Sequence, residues 1–251
     1  MSSLPATTLV VRDYIVDDTT TGSSHPMPQP LVEYADSFER MRELTAQRDA
    51  QTPDELWLLE HSPVYTLGRN ADPGHIINPG EIPVIEVDRG GQVTYHGPGQ
   101  IMCYLMADIS RLGLQVRSLV EGLEQAVVDV LAGYGVSAAG NRDAPGVYVD
   151  GAKIAALGLR VSRGRCYHGL CFNHAFDATP FAGINPCGFE SLAVTQLAEL
   201  LSPCPPASVL AMQLAAAIGD RLGYECVDYT AGCWAVDGEP GSLTGHKPGS
   251  A

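Results

Sequence analysis

Asp150-Gly151 stands between two apolar runs, residues 146–149 and 152–161. An Asp-Gly pair in that setting is a strong signal for a type I′ β-hairpin, because both central residues of that turn need a positive φ. The chain is thereby committed to a sheet with antiparallel pairing. Further short apolar runs at residues 9–12, 56–59, 64–67, 84–87, 93–95, 101–106, 166–176 and 224–229 read as strands. Helical spacing appears in three places. Leu31, Tyr34, Ala35, Phe38, Met41 and Leu44 recur every three or four residues and predict a helix over 31–48. Leu119, Leu123, Val127 and Val130 mark a second, broken near Gly133-Tyr134-Gly135. A third spans 206–222, with Pro206 at its start and Gly223 after its end. The expectation is one mixed α/β domain over residues 1–235. The Gly- and Pro-rich stretch 236–251 cannot bury a core and reads as a disordered tail.

Composition narrows the classes of function. A net charge of −14 argues against wholesale nucleic-acid binding. No apolar run approaches the roughly 18 residues of a membrane span. Residues 1–15 carry Arg12 and Asp13 inside their only apolar stretch, so they do not read as a secretory signal. Seven irregularly spaced cysteines are an odd number, which favours a reducing cytosol over a disulfide framework. Cys166 and Cys171 have no second pair with which to form a zinc site, so no metal is expected.

The chemistry concentrates in three segments. In Asn185-Pro186-Cys187-Gly188 a thiol sits on a sharp turn, with φ fixed by proline on one side and unrestricted at glycine on the other. Lys153 lies in an apolar run, Gly151-Ala152-Lys153-Ile154-Ala155-Ala156-Leu157-Gly158, where a cation is costly unless it has a task or a partner. A lysine beside a cysteine favours the nucleophilic thiolate. Together they suggest covalent acyl transfer through Cys187, assisted by Lys153. Cys103, Cys166, Cys171, Cys204, Cys226 and Cys233 read as small buried hydrophobes or carry no pattern. The third segment, Arg89-Gly90-Gly91-Gln92-Val93-Thr94-Tyr95-His96-Gly97-Pro98-Gly99-Gln100, is glycine-rich, which lets a ligand approach backbone closely. It matches no phosphate-binding fingerprint. Finally, Lys153, Arg160, Arg163 and Arg165 occur with no acid between residues 153 and 168, a candidate docking surface for an acidic partner.

Taken in order, segments 89–100, 153–160 and 185–188, with Glu60-His61-Ser62-Pro63-Val64-Tyr65-Thr66-Leu67-Gly68 and Tyr167-His168-Gly169-Leu170, resemble the octanoyltransferases, the lipoyl(octanoyl) transferase or LipB family. The likeness covers roughly residues 9–230. It departs in the loop 19–30 and past residue 236. The resemblance implies the mixed-sheet α/β fold of the catalytic modules of biotin and lipoate protein ligases. It implies transfer of octanoyl from acyl carrier protein to a lysine of lipoyl domains, in 2-oxoacid dehydrogenase complexes and the glycine cleavage H protein, in the cytoplasm and without a cofactor. It assigns Cys187 as nucleophile and Lys153 as its partner. It lines the acyl site with Arg89, Gly90, Gly91, Gln92, Val93, Thr94, Tyr95 and His96, with Ala156, Leu157 and Gly158, and with Gly169, Leu170 and Cys171. Two other readings stand beside it. One is an ATP-dependent lipoate ligase of the same fold, which would not need Cys187; the other is a non-catalytic module that docks acyl carrier protein.

Overall fold

The computed structural model describes residues 7–15, 31–186 and 192–231. Cys187, Cys233, the loop 19–30 and the expected tail 236–251 lie outside the described residues. The strands are β1 (Thr8–Asp13), β2 (Asp54–Leu59), β3 (Val64–Leu67), β4 (Val84–Glu86), β5 (Val93–His96), β6 (Gln100–Asp108), β7 (Ala139–Gly140), β8 (Gly146–Val149), β9 (Ala152–Ser162), β10 (Arg165–Asn173) and β11 (Cys226–Ala231). The helices are α1 (Tyr34–Gln47), α2 (Val116–Gly133), α3 (Leu197–Leu200) and α4 (Ala207–Leu222).

Eight strands form one sheet in the order β11-β1-β2-β6-β10-β9-β8-β7. Strand β1 runs parallel to β11 and β2, and the remaining neighbours are antiparallel. A second sheet, β4-β3-β5, stands apart. The expected hairpin joins β8 to β9. Asp150 (φ 49°) and Gly151 (φ 82°) both take the positive φ that its turn requires. Gly223, at φ 79°, ends α4 in the left-handed conformation that relieves the last carbonyls.

The sheet is buried on both faces, and β6 shows how. Successive side chains of a strand point to opposite faces. Ile101, Cys103 and Leu105 join the core under α2 and α4, with Leu123, Val127, Leu214 and Ile218. Met102, Tyr104 and Met106 join the opposite core under α1, with Tyr34, Met41 and Trp57. Near-continuous burial, rather than alternation, is therefore what the sequence of a central strand records.

Two boundaries differ from expectation by three residues, each for a local reason. Helix α1 starts at Tyr34 instead of Leu31. Val32 is held extended, its N–H donating to Glu60 O at 2.9 Å and its backbone bridging His61. Strand β10 stops at Asn173 rather than Phe176, because the N–H groups of His174 and Ala175 both turn to Gly99 O.

Asp54 ties the far end of the sheet together. Its carboxylate accepts from Arg48 (2.6 Å), Arg111, the Asp108 N–H (2.9 Å) and the Tyr224 hydroxyl (2.9 Å). The Arg48 side chain is 0% exposed. Removing one partner of a buried pair strands the other charge, which costs about 3–5 kcal/mol. Asp54→Ala should lower stability by that amount, read as a fall in the urea midpoint at unchanged slope. A change below about 1 kcal/mol, the value of a surface pair, would mean that the cluster contributes little.

Candidate active site

Lys153 is the second residue of β9, two residues past the Asp150-Gly151 turn. It is only 4% exposed. Its Nζ donates to Pro145 O at 3.3 Å and lies 5.2 Å from the centre of the Tyr148 ring. Its backbone is clamped as well. The Lys153 N–H donates to Ala193 O at 2.8 Å, and the Thr195 N–H donates to Lys153 O at 3.0 Å. The Asn173 amide reaches both Lys153 O and Thr195 O, and is itself held by Gln100 at 2.8 Å.

These bonds hold residues 193–195, just downstream of segment 187–191, against Lys153. On the upstream side, Ile184 bridges Ile76 and the Asn185 N–H donates to His75 O at 2.8 Å. On the downstream side, residues 193–195 pair with Lys153 itself. Pro186 and Leu192, the last described residues on either side of 187–191, line one cavity with Lys153, Thr94, Ala156 and Cys171. Those last four residues also line a larger cavity that runs on from it.

The larger cavity gathers most of the predicted site. Arg89, Gly91, Gln92, Val93, Thr94, His96, Lys153, Ala156, Leu157, Gly158, Gly169, Leu170 and Cys171 all line it. Gly90 and Tyr95 do not. The Gly90 N–H pairs with Leu159 O at 2.9 Å on the outer side of the loop. Tyr95 alternates away from Thr94 and His96 into the core of the small sheet, against Tyr65 and Phe181. Gly158 sits beneath Arg89, and a Cβ there would come within 2.9 Å of Arg89 Cδ.

Arg89 is a scaffold for this loop. Its guanidinium donates to Gly90 O (2.9 Å), Gln92 O (3.0 Å), Thr66 O (2.8 Å) and Thr66 Oγ1 (2.7 Å). His96 stacks on Tyr34, with ring centres 5.7 Å apart and planes 7° off parallel. Burial first, then the nearby His61, Arg89 and His168, hold His96 well below its usual value, so it is neutral at physiological pH. The cavity thiol Cys171 is pushed up to about 12 by burial, and Cys166 likewise, which leaves both inert. Cys103 is also buried, while Cys204 is half-buried and Cys226 exposed.

Tyr34, Met102, Tyr104 and His168 complete the wall and were not singled out as acyl-site residues in the sequence. Tyr34 and Met102 read there only as helix-face and strand-core residues. Behind them His61 uses both ring nitrogens, toward Val32 O (2.6 Å) and Tyr104 Oη (2.7 Å), and burial pushes it down to about 4. His168, at φ 64°, turns toward Asp88, with Nε2 3.1 Å from Oδ1. Burial pushes the Asp88 carboxyl up, but hydrogen bonds from His168 and Tyr167 outweigh it and leave Asp88 below the usual carboxylate range.

The basic stretch proves to be mixed in charge. Lys153 is buried at the opposite end of β9 from the arginines. Arg160 lies 4.0 Å from Asp88, and Arg165 donates to Thr45 O. Arg163 and Arg165 share a surface hollow with Glu39, Arg42 and Glu43 of α1. Among the described residues, no three His, Cys, Asp or Glu side chains group as metal ligands, and no helix is long and apolar enough to cross a membrane.

The lipoyl protein ligase A/B catalytic domain matches residues 33–218. The chain is similar to an octanoyltransferase of Ectopseudomonas mendocina, 55% identical over 77% of this chain and 95% of that one. It is similar to an octanoyltransferase of Nitrosomonas europaea, 53% identical over 76% of this chain and 93% of that one. Among solved structures it shares the fold of a bi-partite lipoate protein ligase of Thermoplasma acidophilum, described with its E2 lipoyl domain. That pair has a TM-score of 0.59 at 13% identity, covering 82% of this chain and 86% of the ligase. The mixed sheet expected from the resemblance is thus the sheet of the ligase catalytic module. The chain belongs to the lipoyl protein ligase A/B catalytic-domain family and, within it, to the octanoyltransferases, which are acyltransferase enzymes.

Proposed function

We propose that the protein takes an octanoyl group from the thioester of acyl carrier protein onto Cys187, and passes it to the lysine of a lipoyl domain. The observation that carries this reading is the convergence of Lys153, Pro186 and Leu192 on one cavity continuous with a partly apolar pocket. In the first step the Cys187 thiolate attacks the thioester carbonyl. A new C–S bond forms, the carrier's C–S bond breaks, and the departing thiolate takes a proton from the Lys153 ammonium. Thioester replaces thioester, so little net free energy is spent and no nucleotide is required. In the second step the acceptor amine attacks the Cys187 thioester. An amide forms, Cys187 leaves as thiolate, and the surplus amine proton goes to Lys153. The tetrahedral oxyanion is stabilised by backbone N–H groups, for which those near Cys187 or Leu157 are the candidates.

Ala156, Leu157, Leu170 and Met102 give the acyl chain an apolar bed. At about 0.8 kcal/mol per buried CH₂, an eight-carbon chain gains several kcal/mol over acetyl. The lipoyl-domain acceptor is supported by the T. acidophilum ligase, which shares this fold and was described with such a domain. Dehydrogenase complexes and the glycine cleavage H protein are the acceptors the reading implies, in the cytoplasm, with residues 1–235 as one catalytic domain. Mixing the protein with octanoyl-acyl carrier protein in the absence of ATP should add one octanoyl mass to the peptide that holds Cys187. An ATP requirement for that label, or transfer without any adduct, would favour the ligase chemistry instead.

A further inference from the structure

Glu124 of α2 is a buried carboxylate that the reaction above does not use. It is 7% exposed and sits at the back of the Lys153 site. Its Oε1 accepts the Gly146 N–H at 2.8 Å. Gly146 opens β8, and the residue before it, Pro145, offers the carbonyl that receives Lys153 Nζ at 3.3 Å. The peptide between Pro145 and Gly146 is therefore held from one side by a carboxylate and presents its oxygen to the ammonium on the other.

Gly146 transmits this arrangement at close quarters. It adopts φ 148°, and a Cβ there would lie 2.7 Å from Ala155 O, 3.0 Å from Lys153 Cε and 3.3 Å from Nζ. No side chain fits between the carboxylate's anchor and the lysine. Two residues further on, Tyr148 turns its ring to Nζ and ties its own hydroxyl to Ala144 O at 2.8 Å. Residues 144–148 thus form a cradle for one ammonium, and Glu124 is the acid at its base.

We propose that Glu124 is a positioning residue for Lys153. It seats the Pro145–Gly146 peptide that receives the ammonium, and its negative charge favours the protonated lysine. This proposal rests on the reading of Lys153 as the proton-carrying partner of Cys187. Among the described residues, the other charged or titratable groups near the lysine are engaged elsewhere or uncharged. Glu121, one turn earlier on α2, is paired with Arg117 (3.1 Å) and Arg142 (3.4 Å). Tyr148 presents its ring, Cys171 is an inert thiol, His96 is neutral, and Arg89 is spent on loop carbonyls and Thr66. A clamp between α2 and the β7–β8 segment is the competing role for Glu124, since a Cβ on Gly140 would lie 2.7 Å from its Oε2.

Glu124→Gln separates the two, because the amide oxygen still accepts from Gly146 while the charge is gone. Without the anion Lys153 holds its proton less firmly. The pH limb of octanoyl transfer set by lysine deprotonation should therefore move to lower pH, by up to about one unit for a charge at this range. Turnover should fall about tenfold, with KM for the octanoyl donor little changed. Glu124→Asp, which keeps the charge at shorter reach, should lose rate without moving the limb. In a Lys153→Ala background Glu124→Gln should cost little further, since residues that act as a unit do not add. An unmoved limb in Glu124→Gln, or a loss that adds in full to that of Lys153→Ala, would overturn the proposal and leave only the clamp. Full activity of Lys153→Ala by itself would instead remove the reading of the lysine, so the two failures are told apart.

Discussion

Cys187→Ser leaves a folded protein that has lost octanoyl transfer by on the order of a thousandfold or more, because an alcohol at neutral pH is a far weaker nucleophile than a thiolate. The substitution changes one atom, so the melting temperature should stay within a few degrees of the parent, about what a ΔΔG of 1 kcal/mol produces in a chain of this size. The other thiols do not rescue the variant. Among the described residues, the thiol that shares the cavity is Cys171, which burial holds protonated. Transfer from octanoyl-acyl carrier protein to a lipoyl domain, followed by mass spectrometry, reads the outcome directly. Turnover by the serine variant at the parental rate would rule out the covalent route.

The second large effect concerns Lys153, and two variants divide its roles. Lys153→Ala should let the Cys187 thiol rise toward its free value of about 8.5, so iodoacetamide alkylation slows at neutral pH and recovers as pH increases. Transfer should fall with it. Lys153→Arg keeps a cation in the cradle but cannot pass a proton, since a guanidinium stays protonated. Alkylation should then persist while transfer to the amine is lost. Should the arginine variant transfer normally, the lysine acts only as a charge and the proton must move elsewhere. His96 and His168 are the next groups to test. His96 lines the cavity as a neutral imidazole, whereas His168 is turned toward Asp88. If Lys153→Ala alters neither alkylation nor transfer, Cys187 and Lys153 are not neighbours.

Local chemistry explains which parts of this molecule are legible in its sequence. The β8–β9 hairpin is, because Asp150-Gly151 encodes its own turn, and so is the end of α4, where Gly223 alone tolerates the required φ. Of the cavity wall, the glycines of segment 89–100 mark Gly91 by themselves, whereas Gly158 and Gly169 are legible only through the family resemblance. Features decided by distant partners are not. Helix α1 loses its first turn to a pairing of Val32 with residues 60–61 that no helical period reveals. Tyr95 turns to the small-sheet core because its two neighbours, Thr94 and His96, take the cavity side. Four bases along β9–β10 read as one basic face, until folding brings Asp88 and the acids of α1 among the arginines and buries the lysine elsewhere. Glu124 gives no signal at all in sequence, since an acid on an amphipathic helix is ordinary until its partner, a backbone N–H, is known.

Strand β6 has a consequence for how such an enzyme diversifies. It is at once the beam beneath α2 and α4 and the floor of the proposed acyl pocket, and those two duties fall on alternate residues. Odd-numbered positions, Ile101, Cys103 and Leu105, carry α2 and α4; even-numbered ones, Met102 and Tyr104, pack under α1 and line the cavity proposed for the acyl chain. Selection for a longer, shorter or more polar acyl chain can therefore work on alternate letters of one nine-residue word, while the letters between them go on holding the protein together.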